Sequence, residues 1–258
     1  MIPEHREKMK NRQFLWRAAA VLLALGVWQG VSMAVNMEML LASPLKVLMR
    51  FGTIWRERDF LSTVLFSVCR ISAGFLLALA LGTLLGWLAG RFPVAETLLW
   101  PYVTAAKSVP IASFIILCLL WFSYTQLTVF IAFLIAFPVI YANVLQGLKS
   151  TDPRLLEMAE VFRVSGLRRL FYIQMPAVFP YLLSAGSVAV GMAWKAGVAA
   201  EVIGVVSGSV GRKLYDAKIY FQNADLLCWT VMIILLSVAG EKLFRFLMKT
   251  IYGRLVRR

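Results

Sequence analysis

Apolar residues gather into six long runs, separated by polar segments of very uneven length and charge. The runs cover about 14–35, 61–90, 95–122, 126–147, 176–206 and 226–248. Each approaches or exceeds the roughly 20 apolar residues that cross a bilayer core. The pattern predicts an all-α membrane protein of about six transmembrane helices. A basic tail at 1–13 would precede a single membrane domain at 14–250, and a second basic tail would occupy 251–258. Within the second run Gly74, Ala78, Gly82, Gly86 and Gly90 recur every four residues. The fifth repeats the device with Ala185, Ala189, Ala193 and Gly197. Small residues at that spacing form a flat stripe where another helix can approach closely, since lipid supplies no hydrophobic drive for association. Packing within the chain and a surface for a second subunit both suit such a stripe.

Between the fourth and fifth runs the pattern changes. Asp152 can cap a helix that starts at Pro153. Leu155, Met158, Ala159 and Phe162 then fall on one stripe at helical spacing, with Arg154, Glu157, Glu160, Val161 and Arg163 off it. Ser165-Gly166 is expected to end this helix. A second short turn follows, with Leu167, Leu170 and Phe171 on one side and Arg168 and Arg169 on the other. Met175-Pro176 opens the next membrane helix. A helix lying on the membrane face is one reading. The mixture of Glu and Arg on the polar face counts against it, since an anionic surface favours uniformly basic faces, and so do the compact joins through which a force on the stretch would move two membrane helices.

Composition agrees with a membrane protein. Of 258 residues, 60% are hydrophobic and 16% charged, and the mean hydropathy is +0.77. A soluble domain carries about 25% charged residues. The net charge of +14 does not indicate nucleic acid, because the cations collect in the N-terminal tail, the central interruption and the C-terminal tail. That distribution marks a cytoplasmic side. Six crossings put both termini and the interruption there, and leave the uncharged "FSYTQ" turn at 122–126 outside. The 36–60 segment fits less well. It should be external, yet Lys46, Arg50, Arg56 and Arg58 are only partly offset by Glu38, Glu57 and Asp59. "SMA" at 32–34 loosely matches a signal-peptidase site, but the run before it is long, so an uncleaved first helix is expected.

Chemistry is sparse. His5 is the only histidine, and Cys69, Cys118 and Cys228 sit apart in apolar runs, so no metal site is expected. "SGSVGRKL" at 207–214 lacks the spacing of a phosphate loop. Charged residues inside spans are costly and often functional. Arg70, Lys107, Lys195, Glu201 and Glu241 are the candidates. Lys107 and Lys195 could present positive charge to an anionic solute in a water-filled pathway. Lys195 could equally pair with Glu201.

"EMAEVFRVSGLRRLFYIQMP" at 157–176 resembles the EAA loop of ABC-transporter permeases. Glu157 and Ala159 match its acidic and second Ala positions, Ile173 an apolar one and Pro176 the final Pro. Met158 replaces the first Ala. Arg163 stands where the motif has Gly, three residues before the actual Gly166. "LLASPLKVL", "SVCRISAGFLLALALGTLLG", "KSVPIASFIILCLLWF" and "GMAWKAGVAAEVIG" resemble, in this order, the nitrate/sulfonate/taurine/bicarbonate branch of binding-protein-dependent permeases. The resemblance implies a permease subunit of an importer in a prokaryotic plasma membrane. Residues 150–175 would form a cytoplasmic coupling loop that docks on a cytosolic ABC ATPase dimer, with Glu157 a polar anchor of that contact, Arg163, Gly166 and Pro176 part of the coupling loop, and Met158, Ala159 and Phe162 packing either at the contact or beneath the loop. ATP would be bound by the ATPase, and this chain would need no cofactor of its own. The other implied partners are a second, identical permease, an extracytoplasmic substrate-binding protein and membrane lipid. An ion-coupled secondary transporter is the competing class. It would want acidic groups near the membrane midplane, which these spans lack away from their ends.

Overall fold

A computed structural model describes residues 3–35, 37 and 40–256. Glu38 and the last two arginines of the C-terminal tail lie outside the described residues. Among them the chain forms only helices: α1 (Pro3–Val35), α2 (Pro44–Thr53), α3 (Phe60–Arg91), α4 (Pro93–Ser108), α5 (Ile111–Cys118), α6 (Tyr124–Lys149), α7 (Pro153–Val161), α8 (Gly166–Arg169), α9 (Met175–Ile203), α10 (Val210–Ile219) and α11 (Asn223–Val256). The segments assigned to basic tails are mostly helical, as extensions of α1 and α11.

Among the described residues four stretches have the length and apolarity of membrane spans: Phe60–Arg91, Tyr124–Lys149, Gly166–Ile203 and Asn223–Gly253. The apolar part of the first helix, Ala19–Val35, is shorter. The expected third span is not one helix. α4 and α5 meet at a bend of 103°, at Val109-Pro110, where the pyrrolidine ring cannot continue the hydrogen-bond ladder and disfavours helical backbone at the residue before it.

The chain divides into two compact units, 1–60 with 213–231, and 61–212 with 232–258. The first is built on an aromatic chain. Phe51 meets Trp55 edge-on, Trp55 meets Phe60, and Phe60 stacks on the buried Trp229 at 5.8 Å between centroids. Five of its charged residues pair within it. Arg50 bonds both Glu57 and Asp225, while Lys213 reaches Asp59 at 2.7 Å and Glu57 at 3.3 Å. Burial works against the Lys213 cation, but Asp59 and Glu57 outweigh it and raise its pKa; Lys213 in turn lowers that of Asp59. Of the cations that look misplaced at 36–60, Arg50 is thus met by Glu57 and by an acid distant in sequence, Asp225.

The second unit is centred on α9. Ala185, Ala189, Ala193 and Gly197 are buried along it, and a Cβ at Gly197 would lie 2.7 Å from Ile71. The glycine stripe of α3 faces α6. A Cβ at Gly74 would lie 2.3 Å from the Val129 carbonyl oxygen. One at Gly82 would press on Ile140, at Gly86 on Val144, and at Gly90 on Leu148. Ala78 is fully buried in the same row. The close approach of two backbones therefore requires these small residues.

Candidate functional site

The Asp152 carboxylate accepts from the Arg154 N–H at 2.9 Å, and Pro153 opens α7. The expected apolar stripe does not turn inward as a unit. Ala159 alone is buried. Met158 is 48% exposed and Phe162 75%, and Leu155 and Val161 are exposed as well. Glu157 and Glu160 lie in solvent on the same nine-residue helix. Ala159 and the half-buried Leu156 seat the short helix, and its other large apolar side chains are exposed beside the acids.

The end of α7 differs from expectation. Ser165-Gly166 does not break it. The Arg163 N–H donates to the Glu160 carbonyl at 3.0 Å and the Val164 N–H to the Ala159 carbonyl at 2.8 Å, the paired bonds of a Schellman turn. Arg163 has φ +50°, the left-handed conformation that costs a non-glycine residue roughly 1–2 kcal/mol. The position where the motif carries Gly is therefore the one whose backbone asks for it. Gly166 has ordinary φ and open space around it. It begins α8, with Ser165 at the N-cap.

No break separates α8 from the membrane helix. Residues 166–203 run continuously, through a π turn at Leu170–Gln174 in which the Met175 N–H reaches back to the Leu170 carbonyl. Pro176 supplies the cause, since it has no N–H to give and its ring crowds the preceding turn. Ile173 and Pro176 are half-buried at this joint. On the other side, α6 ends at Lys149, whose ammonium meets Glu96 at 2.6 Å, only four residues before α7. Short connections thus join α7 to α6 on one side and to α9 on the other.

Lys107 and Lys195 are both exposed. Lys107 lies in the last turn of α4, next to the bend, and Lys195 points away from the buried face of α9. Lys195 does not pair with Glu201. The Glu201 side chain is fully buried; it accepts from the Ser67 hydroxyl at 2.8 Å and from the Gly211 N–H at 3.1 Å, while the Val210 N–H donates to Ser67 at 2.9 Å. The "SGSVGRKL" stretch is the turn before α10 and its first residues, with Gly211 docked onto this carboxylate. A Cβ at Gly211 would fall 2.3 Å from that of Glu201, so only glycine permits the contact. A Glu in an apolar run was the one sequence signal for this cluster; Ser67 and Gly211 had none. Arg70 lies over the Phe66 ring at 3.7 Å. Glu241 pairs with Arg245 one turn on.

Several long apolar helices, a tightly packed α3–α6–α9 core and an exposed amphipathic helix between two of the spans define a multi-pass membrane permease. The family model described as "Binding-protein-dependent transport system inner membrane component" matches residues 82–257, and the chain belongs to that family of ABC-transporter permeases. It is 27% identical to a Bacillus subtilis protein named "Putative aliphatic sulfonates transport permease protein", over 92% of this chain and 86% of that one. It is 24% identical to the taurine transport system permease protein of Escherichia coli, over 78% and 80%. Identity to the bicarbonate transport system permease protein of Synechococcus elongatus is 27%, over 70% and 64%.

Proposed function

We propose that this chain is the permease subunit of an ATP-driven importer, and that α7 is the element through which cytosolic ATPase subunits drive it. The observation that carries this reading is the exposure of Met158, Val161 and Phe162 beside Glu157 on a short helix joined firmly to α6 and α9. A helix whose apolar side chains are solvated has a surface suited to a hydrophobic groove, with the acid at the edge fixing register. ATP hydrolysis belongs to the partner, and two permeases, most simply identical, enclose the pathway.

In this arrangement both termini and α7 lie in the cytoplasm, while α2 and the α10–α11 turn face outward, toward a substrate-binding protein. The relatives named for sulfonates, taurine and bicarbonate support a small anionic solute. Lys107 and Lys195, exposed in the single chain, would then line the pathway and attract it. The test is purification of the tagged chain from its own membrane in mild detergent, with and without Glu157→Lys. A stoichiometric ATPase that is lost with the variant supports the reading. A folded chain that retains no ATPase, or retains it equally in both forms, removes α7 from the coupling role.

A further inference from the structure

We propose that the second unit carries a built site for one anionic phospholipid, its acyl chain seated among α3, α6, α9 and α11 and its headgroup at a basic rim beside the α8–α9 joint. The cavity measures about 560 Å³, within the roughly 300–1,000 Å³ of specific small-molecule pockets. Its wall is almost wholly apolar, formed by Leu79, Leu84 and Trp87 of α3, Leu148 of α6, Leu182 of α9 and Ile251 of α11. Phe179 and Tyr252, stacked at 3.8 Å, close one side. Such a surface excludes a hydrated anion such as the transported solute and suits a hydrocarbon chain.

The choice of lipid comes from the charges next to the wall. Arg91 follows Trp87 by one turn, Arg168 and Arg169 precede Leu170, and Lys249 lies between the lining residues Met248 and Ile251. Arg91, Arg168 and Lys249 are exposed and make no ion pair among the described residues. The Nε of Arg169 is buried without a hydrogen-bond partner, a cationic donor left in want of an acceptor. Basic pockets between membrane helices on the cytoplasmic side recognise anionic headgroups in this way. Leu170, Gln174 and Met175 of the π turn also line the cavity, so a seated lipid would brace the joint between α8 and α9. That consequence rests on the coupling role of α7; lipid binding itself does not.

The experiment is native mass spectrometry of the full chain, extracted in mild detergent from nanodiscs of equal phosphatidylglycerol and phosphatidylcholine. One phosphatidylglycerol per chain should be retained in preference. Arg168→Gln and Lys249→Gln, both at exposed positions, should each weaken retention about fivefold, as expected for removing one cation near an anionic headgroup. Ala80→Trp, which fills the cavity, should abolish it, with monodispersity on size exclusion confirming the fold. Equal retention of the two lipids, or indifference to all three variants, overturns the proposal. So does a disulfide between two copies bearing Leu84→Cys, which would place a second chain in the cavity.

Discussion

Gly74→Ala tests the packing on which the membrane core depends. The added Cβ would stand 2.3 Å from the Val129 carbonyl oxygen and 2.8 Å from the Ala132 Cβ. A carbon approaches a carbonyl oxygen to about 3.3 Å at closest in ordinary contacts, so the deficit is about 1 Å. Neither obstacle is the free end of a side chain, so no rotamer change relieves it. α3 and α6 must separate, and a gap of 0.5–1 Å forfeits roughly a quarter to a half of each dispersion contact it opens. The contacts at Ala78, Gly82 and Gly86 share the loss. Overpacking of this kind costs about 1–3 kcal/mol, against which alanine returns at most about 1 kcal/mol of helix propensity. A net loss of about 1–2 kcal/mol corresponds, at roughly 2–4 °C per kcal/mol, to a fall of several degrees in Tm. Fluorescence-detected size exclusion after heating in detergent reads it. Gly253→Ala, in the same unit with nothing within 4 Å of the new atom, should not lower Tm. If Gly74→Ala melts with the wild type, the α3–α6 approach described here would be wrong.

Arg163→Gly should leave α7 in place and raise stability by up to about 1 kcal/mol, the relief of left-handed strain less the added freedom of the unfolded chain; a loss of Tm would mean the arginine side chain holds the turn. Glu201→Ala leaves the Gly211 N–H and the Ser67 hydroxyl unpaired in a buried site and should cost about 1–3 kcal/mol, whereas Glu201→Gln, keeping one acceptor, should cost less; equal effects would place the cluster in contact with water. The Asp59 carboxylate, held by Lys213 below its ordinary pKa, binds fewer protons folded than unfolded. Its contribution is therefore complete above the unfolded value near 3.9 and declines as pH falls through the depressed one. Asp59→Asn should lose the difference at neutral pH and converge with the wild type in acid. Thermal melts from pH 7 down to about 3 compare the two.

The long apolar runs announced their helices because burial in lipid requires an unbroken run of apolar residues and an internally satisfied backbone. The second, fourth and sixth runs agree with α3, α6 and α11 to within a few residues, apart from the C-terminal end of α11, which runs on well past the sixth. Breaks were harder to read. Pro101 and Pro138 sit inside helices while Pro110 turns the chain through 103°, and the identity of the residue does not distinguish them. Glycine misled in a similar way. α7, α9 and α10 all end with a left-handed residue, and these are Arg163, Val205 and Phe221. The nearby Gly204 instead lets α9 approach Leu127. Chain-terminating geometry is set by the carbonyls that need partners, and tertiary packing can hold a residue there against its own preference.

α7 shows a related conflict between periodicity and packing. Sequence periodicity assigned Leu155, Met158, Ala159 and Phe162 to one apolar stripe, and in solution such a stripe would turn inward. Here the turn beneath admits only Ala159, because α6 and the π-turned start of α9 fix both ends of the segment at short distances along the chain. The larger apolar side chains are left outside by connectivity, not by polarity. A helix in that position gains little from folding onto its own chain, and its large apolar side chains stay exposed.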